Sequence, residues 1–113
     1  MTTFTTASIR AIKLAFSMNY NLEELLIANV DSDTTPLEEA QYILSNQEEL
    51  QMFTEQLEML LIAYVDSFSI DQEVAMYLNE TAVNKEQLEE MLISCVDSET
   101  VSLEVAQNIL AAL

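Results

Sequence analysis

Leu22, Leu25, Leu26 and Val30 fall at i, i+3, i+4 and i+8, which is one face of an amphipathic helix. The phrase that contains them, LEELLIANVDS, returns as LEMLLIAYVDS and LEEMLISCVDS. Aligned without gaps, Leu22, Leu57 and Leu88 coincide, as do Glu23, Glu58 and Glu89, then Leu26, Leu61 and Leu92, then Ile27, Ile62 and Ile93. The match runs on through Val-Asp-Ser to Glu38, Glu73 and Glu104, and to Ala40, Ala75 and Ala106. The starts are spaced 35 and then 31 residues apart, long enough for two helices and a turn in each unit. The pattern predicts an all-α chain: a compact helical bundle of about seven short helices, built from three helix-turn-helix repeats. Their expected spans are 6–18, 21–30, 36–45, 47–65, 70–79, 85–96 and 102–112. One domain over 1–113 is expected, with an N-terminal helix followed by repeats at 21–45, 47–79 and 85–112. The run LLIA within 47–65 is apolar nearly all round, which suits a central core helix or a dimer face.

Punctuation between the apolar runs fits this map. Thr35-Pro36-Leu37-Glu38 and Ser69-Ile70-Asp71-Gln72 read as capping boxes, and Thr100 and Ser102 as candidate caps. Asn46 ahead of Gln47, and Asn84 with Gln87, read as helix starts. Asp and Ser of each Val-Asp-Ser are expected to accept hydrogen bonds from the free N–H groups of the following helix, each cap being worth about 1 kcal/mol. The chain has no glycine. Asn19, Asn21, Asn46, Asn79 and Asn84 are therefore expected to serve at helix ends, and tight β-hairpins are disfavoured.

Composition narrows the chemistry. With no histidine and one cysteine, the usual zinc sites, histidine general bases and internal disulfides are excluded. Cys95 lies in an apolar run and is expected as a buried thiol, which suits a reducing cytoplasm, that of the host if the gene belongs to a phage. The first 22 residues hold no acid and carry Arg10 and Lys13. That resembles a transit peptide in composition, but two bases are few and the segment reads better as the first helix. No membrane span is expected.

The segment DSDTTPLEEA opens like a calcium loop with Asp31 and Asp33 at its first and third positions. Pro36 at the sixth and Tyr42 at the twelfth do not fit, so no metal is expected. The Asp-Ser pairs also resemble the attachment motif of acyl carrier proteins, Asp-Ser-Leu at the start of a helix. Here the third residue is Asp33, Phe68 or Glu99. That resemblance would make Ser32, Ser67 or Ser98 an attachment site. Paired carboxylates such as Glu89 and Glu90 lack the histidine partners of a di-metal bundle, and no catalytic residues or cofactor are expected.

Twenty acids face three bases, giving a net charge of −17. Between Leu14 and Asn84 there are fourteen acids and no base. Like charges at helical spacing repel, so this composition sacrifices stability and points to a cationic partner. A helical scaffold that holds carboxylates at fixed positions can occupy a surface that otherwise binds nucleic-acid phosphates. The densest base-free window supplies the candidate partner-binding acids: Asp31, Asp33, Glu38, Glu39, Glu48, Glu49, Glu55 and Glu58. Of these, Glu48, Glu55 and Glu58 are expected to form one helix ridge. Glu23, Glu24, Glu89 and Glu90 come next.

A small, glycine-free, highly acidic helical chain resembles the DNA-mimic inhibitors of phages and mobile elements, anti-CRISPR and anti-restriction proteins among them. The opening MTTFTT is also similar to the starts of some short anti-CRISPR proteins. The resemblance implies an inhibitor that binds a basic nucleic-acid-binding protein, such as a CRISPR effector complex, and does not bind nucleic acid itself. The alternative is a helical-repeat adaptor that binds through apolar surface near Met59–Ile62, with Met52, Met59, Met76 and Met91 as adaptable contacts. A homodimer is compatible with either.

Overall fold

The computed structural model describes residues 4–113; Met1–Thr3, half of the MTTFTT opening, lie outside them. The described residues form seven α-helices: α1 (Thr6–Met18), α2 (Leu22–Asp31), α3 (Leu37–Ser45), α4 (Gln47–Asp66), α5 (Gln72–Thr81), α6 (Lys85–Asp97) and α7 (Leu103–Ala112). The all-α reading holds, and each helix lies within two residues of the span its apolar periodicity predicts. No helix among the described residues is long and apolar enough to cross a membrane.

The chain divides into two compact units, Met1–Gln51 and Met52–Leu113, and the division falls inside α4. In the first unit α2 packs against both α1 and α3. Its buried side chains include Ile12, Leu22, Leu26 and Ile43, and the Phe4 ring meets Tyr42 at 5.9 Å between centroids. In the second unit one apolar cluster joins Leu57 and Leu61 of α4, Leu78 of α5, Leu88 and Leu92 of α6 and Ile109 of α7. Cys95 is buried there as a free thiol, and Met91 belongs to the same core.

The Val-Asp-Ser turns are built differently from the sequence expectation. Asp31, Asp66 and Asp97 are the last residues of α2, α4 and α6 and cap no following helix. Each turn is a Schellman motif, in which the chain folds back onto the carbonyls of the helix it leaves. Thr34, Ser69 and Thr100 N–H donate to the Asn29, Tyr64 and Cys95 carbonyls at 2.9 Å. Asp33, Phe68 and Glu99 N–H donate to Val30, Val65 and Val96 at 3.0–3.1 Å. The serine hydroxyls act as donors: those of Ser32, Ser67 and Ser98 reach the same Asn29, Tyr64 and Cys95 carbonyls at 3.1–3.2 Å. They also meet the hydroxyls of Thr34, Ser69 and Thr100. The repeated Ser-X-Thr/Ser is therefore a clamp on a helix C-terminus. A serine at the end of a helix also departs from the carrier-protein motif, in which the serine begins one.

The motif needs a left-handed residue, which glycine usually supplies. Here Asp33 (φ 59°), Phe68 (φ 61°) and Glu99 (φ 63°) take that role, and the expected asparagine does so only at Asn19 (φ 61°). Asn21 and Asn84 cap the N-termini of α2 and α6, and Asn46 both closes α3 and precedes α4, its carbonyl accepting from Leu50 N–H at 3.1 Å. Asn79 lies within α5. The two capping boxes are also displaced. Pro36 is the N-cap of α3 and makes no side-chain cap bond; Asp71, not Ser69, caps α5 through Glu73 N–H at 3.3 Å. Ser102 caps α7 by accepting from Val105 N–H.

Candidate functional site

All twenty acids except Glu39 are exposed. The helix map separates two kinds among them. Glu23, Glu24, Glu38, Glu39, Glu48, Glu49, Glu73, Glu86 and Glu104 lie in first turns. A carboxylate there meets the positive end of the helix dipole and free N–H groups, so stability alone accounts for its placement. The second kind stands at the other end. Asp31, Asp66 and Asp97 close α2, α4 and α6, and Asp33 and Glu99 occupy the left-handed positions just beyond. Carboxylates at these ends oppose the dipole, and no helix carries a base in its last turn to offset them.

Seven of the eight candidate acids are where a partner can reach them. In the first unit Asp31 and Asp33 share one turn, and Glu38, Glu48 and Glu49 stand exposed on the first turns of α3 and α4. In the second unit Glu55 and Glu58 are exposed on α4. Glu39 is a correction: it is only 3% exposed and is committed to the fold. Its Oε1 and Oε2 accept from Thr5 N–H at 3.2 Å, and Oε2 also accepts from the Thr5 hydroxyl at 2.8 Å and from the Ser8 hydroxyl. Ser8 Oγ lies 3.1 Å from the buried Thr35 hydroxyl. One carboxylate in the first turn of α3 thus serves the N-terminal end of α1, which is how an ionisable group is tolerated inside the first unit.

The internal alignment explains the exception. Thr35 corresponds to Ile70 and Val101, and Glu39 to Val74 and Val105. Ile70 and Val101 are buried and Val74 and Val105 half-buried, so two repeats make an apolar contact where the first makes a polar one. Asp66, Asp97 and Glu99 are acids that the base-free window left out, although the register of Val-Asp-Ser against the preceding helix carries the signal. No group of three or more His, Cys, Asp or Glu residues is disposed to hold a metal ion among the described residues.

Apolar side chains are also displayed. Met52, Met59, Ile62 and Met76 are more than half exposed, and Phe68 is almost wholly so. Comparison of the chain with family models, curated proteins and solved structures finds no match.

Proposed function

We propose that this chain is an acidic protein inhibitor that binds a nucleic-acid-handling protein through its carboxylate surface, in place of nucleic-acid phosphates. CRISPR effector complexes are one class of target with the required basic channel. The observation that carries this reading is the set of exposed acids at helix C-termini: Asp31, Asp33, Asp66, Asp97 and Glu99. Folding does not favour carboxylates at those ends, whereas a cationic partner does. Fixed on helix ends by the serine clamps, they are held without the entropy loss of ordering a mobile loop. Glu38, Glu48, Glu49, Glu55 and Glu58 extend the same charge. The reading needs no catalytic step and no cofactor.

The exposed Met52, Met59, Ile62 and Met76 favour a second reading, an adaptor that binds through apolar surface. The two differ in their response to salt. Tagged chain is incubated with a cell lysate at low salt and eluted by a salt gradient, and the eluted proteins are identified by mass spectrometry. The inhibitor reading expects subunits of nucleic-acid-binding complexes to elute as salt rises. Partners that resist salt and handle no nucleic acid would favour the adaptor.

A further inference from the structure

The second unit carries an open groove between α4 and α5, with a volume of about 270 Å³. Leu61, Ile62, Val65 and Ala75 form its apolar floor, Met76 stands in one wall, and Glu58, Asp66, Gln72 and Asn79 mark its polar rim. The volume lies just below the range of small-molecule pockets, and the groove is open along its length, which suits side chains of a peptide better than an enclosed ligand.

Internal comparison sets this groove apart. The floor is common to all repeats: Leu61, Ile62, Val65 and Ala75 match Leu26, Ile27, Val30 and Ala40, and again Leu92, Ile93, Val96 and Ala106. The walls are not. Where the first and third repeats both carry leucine, at Leu44 and Leu110, the second has Asn79; where both have glutamine, at Gln41 and Gln107, it has Met76. Gln72 likewise stands where both others carry leucine. The half-buried Leu44 and Leu110 occupy the position that Asn79 leaves short. The second repeat thus differs from its sisters in a shorter, polar residue at one wall and an exposed methionine at the other.

We propose that this groove is a docking site for a basic amphipathic helix of a partner protein, with one apolar side chain seated on the floor and a lysine or arginine to either side. The charge selects the occupant. Glu58 and Asp66 are both exposed and lie eight residues apart on α4, about 12 Å along its axis. Basic residues roughly two turns apart on an incoming helix meet both, as the apolar residue between them meets Ile62 and Met76. On the α5 side Gln72 and Asn79 offer amide groups at the same two ends. A second copy of this chain, itself at −17, is repelled from the same rim. Helix-in-groove recognition of this kind relies on adaptable methionine contacts. The inference requires a basic helical partner of any function, so it stands apart from the nucleic-acid reading.

The test uses the full chain with labelled methyl groups, titrated with a synthetic helical peptide that carries a central leucine between lysines two turns apart. A peptide with glutamate in place of lysine is the control. The Ile62, Ala75 and Met76 methyl signals are expected to shift saturably with the lysine peptide and not with the glutamate peptide. Asn79→Leu installs the residue of the other repeats, is expected to fold, and should weaken binding about tenfold or more by filling the anchor position. Met76→Gln, also a sister residue, should act in the same direction. Asp66→Asn with Glu58→Gln should weaken binding at low salt and converge with the parent at high salt. Four results would overturn the proposal: no shift at these methyls, equal shifts with the glutamate peptide, unchanged affinity in Asn79→Leu, or methyl shifts that follow protein concentration without peptide, which would mark a self-association surface.

Discussion

Glu39→Ala is expected to destabilise the first unit by about 3 kcal/mol, the scale of breaking a buried charged hydrogen-bond set. The Thr5 N–H, the Thr5 hydroxyl and the Ser8 hydroxyl all lose the acceptor that now holds them, and Ser8 and Thr35 are buried beside it. Removing one partner strands the others, while removing several together strands fewer. The variant Ser8→Ala/Thr35→Ile/Glu39→Val imports the apolar solution of the second repeat, where Ile70 and Val74 occupy the equivalent places. It still leaves the half-buried Thr5 N–H and hydroxyl without this acceptor, so it is expected to recover only part of the loss and to lie about 1–2 kcal/mol below the parent. Urea unfolding of the full chain, followed by circular dichroism, measures both. A Glu39→Ala protein as stable as the parent would mean that α1 is not fastened to α3 through this carboxylate.

The combined substitution Asp31→Asn, Asp66→Asn and Asp97→Asn is expected to move stability and binding in opposite directions. Each aspartate ends a helix against the dipole. Neutralising it should therefore raise stability by about 0.3 kcal/mol, the low end of the range because the groups are exposed and screened. Binding to a basic partner should weaken by up to about 1 kcal/mol per lost charge pair at low salt, or roughly a hundredfold for three. Thermal unfolding and affinity at low and high salt decide the matter. If stability falls along with binding, the aspartates are structural caps after all, as the sequence pattern first suggests, and their charge is no mark of function.

The helices were readable because their signal is periodic and repeated: Leu22, Leu26 and Val30 recur at fixed offsets in two further phrases, and the expected spans match α2, α4 and α6 closely. The turns were harder for a definite reason. A serine hydroxyl can donate or accept, so Asp-Ser between two helices reads equally as the start of the next or the end of the last. A glycine would have marked the left-handed residue, but this chain places aspartate, phenylalanine and glutamate there, of which only aspartate carries even a weak signal. Thr35-Pro36-Leu37-Glu38 matches a capping box letter for letter, yet Thr35 turns inward to Ser8.

The candidate acids were legible as exposed charge but not by role. Glu38 and Glu39 are adjacent and identical in kind, and only the helix phase separates the solvent-facing one from the buried one. The alignment of Glu39 with Val74 and Val105 is the clue that it faces inward. Asp66 and Asp97 do not stand out by the density of acids along the chain; their distinction lies in which end of a helix they occupy.

The most direct test of the inhibitor account is competition with DNA. A nucleic-acid-binding protein recovered in the salt gradient is loaded with labelled duplex and titrated with this chain at several salt concentrations. The account predicts full displacement of the duplex, with the logarithm of the affinity falling linearly as the logarithm of salt rises. It is contradicted if the chain binds alongside the retained duplex, or displaces it with an affinity that salt does not change.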